Sequence, residues 1–78
     1  MRKKELRAVI AFSATTDAMA AEAHLKGAGI PGRLIPVPRE IRAGCGLAWS
    51  SPAESGKAAR QALGQAGIPW ESWKELLL

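Results

Sequence analysis

The sequence predicts an α+β domain of the ferredoxin-like type: a two-layer sandwich in the order β-α-β-β-α-β, with an antiparallel sheet and both helices on one face. Three observations lead there. AEAHLKGAGIP at 21–31 returns as ARQALGQAGIP at 59–69, and this shift of 38 superposes Ala21 on Ala59, Leu25 on Leu63 and Ala28-Gly29-Ile30-Pro31 on Ala66-Gly67-Ile68-Pro69. Ahead of each copy runs a segment that alternates in side-chain character. Behind the first copy lies a short extended stretch that a second unit should repeat. The 78 residues thus read as a single domain, 1–78, made of two pseudo-repeats at about 6–37 and 45–76.

Each element has a local justification. Leu6, Ala8, Ile10 and Phe12 alternate with Arg7, Val9, Ala11 and Ser13, the period-2 pattern of a half-buried strand. In each repeat the Ala, Leu and Ala fall at i, i+4 and i+7, one face of a helix, and the Gly-Ile-Pro behind them is a helix stop. Ser51-Pro52-Ala53-Glu54 has the form of a capping box and the same shift lands on Ser13, so helices of about fifteen residues are expected after Ser13 and Ser51. Residues 33–37 form a short strand whose Pro36 suits a sheet edge. Cys45, Leu47 and Trp49 alternate with Gly46, Ala48 and Ser50 as the third strand. For the last element the repeat predicts a strand over 71–75, while Trp70, Trp73 and Leu77 at helical spacing offer a short helix as the alternative.

Composition removes whole classes of function. One Cys forbids an internal disulfide, and one His with one Asp and six Glu assembles no four-ligand zinc set. No metal and no cofactor is implied, and the chain reads as cytoplasmic and reduced. Residues 2–20 imitate a secretory signal, but Glu5, Arg7 and Thr15-Thr16-Asp17 break the apolar run, and nothing approaches the ~20 apolar residues of a membrane span. The net charge of +4 owes most of its excess to Arg2, Lys3 and Lys4. With one Phe, no Tyr and no strand interleaving aromatics with Arg or Lys, a nucleic-acid platform is not expected.

The one segment that concentrates unusual chemistry is PVPREIRAGCGLAW at 36–49, which holds the sole cysteine between two glycines. Two readings of Cys45 stand side by side. In the first it is a reactive thiol, with Arg39 and Arg42, and Lys3 or Lys4 besides, supplying positive charge and the amides of Gly44 and Gly46 approaching the sulfur. In the second it is a small apolar residue that shares a strand face with Leu47 and Trp49. The expected strand arrangement makes strands one and three parallel neighbours, which puts Cys45 near Lys3, Lys4 and Glu5 and both helix N-termini at the far end of the sheet. His24 reads as a solvated helix residue, Ser13, Thr15 and Thr16 as capping residues, and the three Trp as core or interface.

The order F-S-x-T-T-D-A-M at 12–19, L-K-x-A-G-I-P at 25–31 and P-V-P-R-E-I-R-A-G-C-G-L-A at 36–48 resembles the selenium/sulfur carrier-like family, small bacterial domains of unestablished function. The match runs over about 6–68. The resemblance implies a cysteine that carries sulfur or selenium between donor and acceptor proteins, with the family motif falling on Pro36, Pro38, Arg39, Glu40, Gly44, Cys45 and Gly46. Better understood sulfur carriers place Cys-Pro-x-Pro at the start of the first helix. Here that position holds residues 13–17, so their transfer mechanism does not carry over, and WESWKELLL at the C-terminus departs from the family pattern as well. The expected function is a non-enzymatic or weakly enzymatic carrier of sulfur or selenium, holding a persulfide on Cys45. The alternative is a small regulatory or adaptor domain with a structural cysteine. Three Trp and a terminal Leu-Leu-Leu in so short a chain point to a homodimer through Trp70, Trp73 and the final leucines.

Overall fold

In the computed structural model, which describes residues 4–41 and 44–78, the chain runs β1 (Leu6–Ala11), α1 (Thr15–Gly27), β2 (Arg33–Pro36) and β3 (Leu47–Pro52). A single 3-10 turn (Ala53–Ser55), α2 (Gly56–Ala66) and β4 (Ser72–Leu77) follow. The four strands form one sheet in the order β2-β3-β1-β4 with every neighbouring pair antiparallel. This is the expected ferredoxin-like sandwich.

One geometric expectation is corrected: β1 and β3 are neighbours, but antiparallel, in register from Arg7↔Pro52 to Ala11↔Ala48. Each helix crossover returns the chain parallel to the strand it left, with a gap between the two strands. β3 fills the gap between β1 and β2, and β1 fills the gap between β3 and β4, so each central strand must oppose its neighbours.

The buried helix stripes are Ala18, Ala21 and Leu25 on α1 and Gly56, Ala59 and Leu63 on α2, spaced i, i+3, i+7 and again 38 residues apart. The stripes begin earlier than the repeat alignment suggested, since Ala28 and Ala66 are exposed at the helix ends. Small residues let the helices lie close to the sheet: a Cβ on Gly56 would stand 2.6 Å from the Cβ of Ala8. Both helices stop alike. The Ile30 N–H donates to the Leu25 carbonyl and the Ile68 N–H to the Leu63 carbonyl, each at 3.0 Å, and these close the last turn in the manner of a Schellman cap.

The starts differ from expectation. The N-cap of α1 is Ala14 and its side chain accepts nothing. Ser51 belongs to β3, is fully buried, and its Oγ, like Trp49 Nε1, has no hydrogen-bond partner among the described residues. Strand pairing with Ala8 holds residue 51 in the ladder, so the chain turns through 53–55 before α2 begins.

The last element is a strand, because the free edge of β1 offers a continuous register from Leu6↔Leu77 to Ala11↔Ser72. That ladder satisfies backbone groups that a short, exposed helix would leave to water. Trp73 lies on the helix-bearing side opposite Ile10, with the Arg60 guanidinium 3.6 Å above its ring, a cation–π contact. Leu76 turns to the other side and is buried.

Helices cover one face of the sheet, where Ile10, Phe12, Ala18, Ala21, Leu25, Trp49, Ala59 and Leu63 form the main core. The other face is not bare. Val9, Ala11, Ala48 and Leu76 make a second cluster there, closed by Ile41 with Val37 and Ile35 against it. Residues 8–12 are therefore fully buried on both sides, which corrects the half-buried reading of β1. The cause is the β2–β3 connection, which folds back and lays Ile41 over the helix-free face.

Removing that side chain measures its contribution. Ile41→Ala is expected to lower stability by about 2 kcal/mol in chemical denaturation, whereas Leu6→Ala, at a position 47% exposed, changes it by no more than about 0.5 kcal/mol. Equal, small losses in the two variants would show that the connection does not belong to the folded core.

Candidate functional site

The connection between β2 and β3 is built from its two ends. It leaves the edge strand at Pro36, turns at 38–41 with the Ile41 N–H donating to the Pro38 carbonyl at 3.0 Å, and is closed at its base by the Val37 N–H donating to the Gly46 carbonyl at 2.9 Å. Arg39 and Glu40 stand exposed on the turn. Neither makes an ion pair or a side-chain hydrogen bond among the described residues. Arg42 lies outside the described residues, as does Lys3.

Gly44, Cys45 and Gly46 return the chain to β3, and each glycine has a steric reason. Gly44 packs on the β1–α1 junction so closely that a Cβ would stand 3.0 Å from the Ser13 carbonyl oxygen, and Gly46 has φ 75°, a left-handed conformation that side chains disfavour. Between them Cys45 is half-buried. Its side chain points to the helix-bearing side, packing against the main core together with Leu47. The thiol donates to the Phe12 carbonyl, with Sγ 3.1 Å from that oxygen and 3.7 Å from the Leu47 carbonyl.

Antiparallel pairing decides the neighbours. Cys45 meets Phe12, just past the end of β1, and Gly44 packs on Ser13 beside it; Lys4 and Glu5 are at the opposite end of the sheet. The expected contact with Lys4 and Glu5 is thus overturned by strand direction, and the part of it that concerns Lys3 lies outside the described residues. The placement of helix ends changes with it. α1 opens at Thr15, on the same side of the sheet as Cys45 and with no side chain capping its first N–H groups, while α2 opens at Gly56, at the far end.

The sequence reading missed Glu71. Its backbone N–H donates to the Ala11 carbonyl at 2.8 Å, which fixes the start of β4, and its carboxylate Oε1 accepts the Gly44 N–H at 3.3 Å. One of the two glycine amides expected near the sulfur is therefore bound to a carboxylate. A signal existed: Glu71 stands 38 residues beyond Arg33, at the same strand-opening position of the second repeat. Ile41 was missed too, although a β-branched apolar residue amid Pro, Arg and Glu needs somewhere to be buried.

Over this geometry the family model matches residues 7–75. The chain belongs to the family described as Putative Se/S carrier protein-like. It matches no curated protein and no solved structure. The family match takes in both helices, all of β2 and β3 and most of β1 and β4, and with them the whole Pro36–Gly46 connection and Glu71. No helix among the described residues is long and apolar enough to cross a membrane, and no group of three or more His, Cys, Asp and Glu among them could hold a metal ion.

Glu71→Ala tests the clasp on the loop. Because both groups are exposed, global stability should fall by no more than about 1 kcal/mol, while amide exchange at Gly44 accelerates against a constant background in β1 and β3. Unchanged exchange at Gly44 would mean the carboxylate does not hold the loop in solution.

Proposed function

We propose that this chain is a sulfur or selenium carrier in which Cys45 holds the transferred atom as a persulfide or its selenium counterpart. The observation that carries this reading is the placement of the one thiol: half-buried, between two exposed glycines, on the connection that the family match includes. Small flanks leave room for a second sulfur centre to approach in line. The Cys45 thiolate attacks the outer sulfur of a donor protein's persulfide, the donor's S–S bond breaks, the donor leaves as a thiolate, and the proton of Cys45 goes to solvent. Delivery runs the same displacement in reverse roles, an acceptor nucleophile taking the outer sulfur and Cys45 leaving as thiolate. No cofactor or external oxidant enters. Arg39, Arg42 and the Gly46 amide are the groups we assign to the sulfur anion, and Pro36, Pro38 and Glu40 to shaping the loop that donor and acceptor proteins meet. A reducing, cytoplasmic setting suits a thiol that must stay unpaired.

A second reading draws on the hydrogen bond from Sγ to the Phe12 carbonyl and the packing of Cys45 on the main core: a regulatory or adaptor domain whose cysteine is structural. Mass spectrometry after incubation with a persulfide donor separates the two. The carrier gains one sulfur on Cys45, and Cys45→Ser gains none. A folded protein that stays unmodified with several donors, and that a maleimide labels only at the rate of its unfolding, decides for the adaptor.

We also propose that the protein pairs with itself along β4. Among the described residues the exposed large apolar ones are Leu6, Met19, Trp73, Leu77 and Leu78, and all of these but Met19 border this edge. The mutual Glu5–Leu78 hydrogen bonds set the β1–β4 register so that the backbone groups of Trp73, Glu75 and Leu77 face outward. Sedimentation at micromolar concentration should show a dimer for the wild type and a folded monomer for Trp73→Ala; a monomeric wild type removes the pairing.

A further inference from the structure

The helix-free face divides in two. Ile41 and Val37 close the half near Cys45 over Val9, Ala11, Ala48 and Leu76. At the other end an open basin of about 480 Å³ remains, with Arg7, Arg33, Ser50, Glu5, Ile35 and Leu78 in its lining. Strand alternation explains the grouping. Arg7 shares its side of β1 with Val9, Ser50 its side of β3 with Ala48, and Arg33 its side of β2 with Ile35.

The floor is organised around one guanidinium. Arg7 Nε donates to Ser50 Oγ at 3.1 Å and an Nη2 N–H to the Ser50 carbonyl at 3.3 Å, with the side chain 21% exposed. Its Nη1 lies 3.8 Å from Glu5 Oε2, a carboxylate 72% exposed and screened by water. Ser50 thus fixes the orientation of the fork and leaves N–H groups of Arg7 unused. Arg33 stands across β3 from it, exposed and without an ion pair or side-chain hydrogen bond among the described residues. Among the lining side chains two arginines stand against one carboxylate, and Ile35 and Leu78 give the basin apolar wall. A volume in the range of small-molecule sites is larger than a bare oxyanion needs.

We propose that this basin binds a small organic anion, whose carboxylate or phosphate head engages Arg7 and Arg33 and whose apolar body lies over Ile35 and Leu78. Guanidinium forks recognise either head by paired N–H···O bonds. The site is at the opposite end of the sheet from Cys45 and stands whether or not that thiol carries sulfur.

The test is a heteronuclear NMR titration of the full chain with hexanoate, hexyl phosphate and inorganic phosphate as probes. Saturable shifts at the Arg33 and Ser50 amides and at Arg7 Nε–H with hexanoate or hexyl phosphate support the site and identify the head group. Arg33→Glu, at an exposed position where folding is not at stake, should weaken that binding by about tenfold or more, while Lys57→Ala on the exposed side of α2 leaves it unchanged. No saturation with either organic anion at millimolar concentration, binding that survives Arg33→Glu, or inorganic phosphate binding as tightly as both organic probes would each overturn the proposal.

Discussion

Everything in this fold depends on the antiparallel seam between β1 and β3. Residues 8–12 and 48–51 are enclosed from both faces, so the seam carries side chains of the main core on one side and of the smaller cluster on the other. Two strands at the middle of a four-stranded sheet have no free backbone edge, and their ladder cannot shift by one residue without turning Phe12 and Trp49 away from the helices. That constraint fixes where Cys45 falls. A chain entering β3 in this direction must come in past the end of β1.

How much of this was legible in the sequence follows from what kind of signal each feature leaves. The repeat announced both helices, their Gly-Ile-Pro stops and even the last strand, against the helical spacing of Trp70 and Trp73, because a repeated unit carries its packing with it. Direction leaves no local signal. Alternation at Cys45, Leu47 and Trp49 identifies the inward side chains but is the same read forwards or backwards, so it left the choice of neighbour to topology. Ser51 misled for a related reason: a capping box is a local pattern, and the long-range pairing with Ala8 overrode it.

Long-range contacts also hid two residues of the site. Ile41 closes the helix-free face and Glu71 reaches the Gly44 amide across 27 positions of sequence, and no local window contains both partners. What remained readable was the identity of the loop itself. Two glycines around a cysteine are unusual enough to mark the place, and the structure supplies separate reasons for each: a crowded carbonyl beside Gly44 and a positive φ at Gly46.

The clamped ends of that loop decide which part of it can move. Gly44 is tied through its amide to Glu71 and Gly46 through its carbonyl to Val37, so the backbone on either side of Cys45 is held while the thiol's own hold is one hydrogen bond to Phe12 with a longer contact beyond it. The freedom left to the sulfur is therefore that of its side-chain bond, not of the loop's backbone. Rotations of exposed side chains belong to the picosecond-to-nanosecond range, well ahead of the microsecond range of collective motions, and the packing of half-buried Cys45 on the main core slows its thiol from that limit. In the carrier role proposed for it, this thiol would meet its partner on a backbone that is already in place.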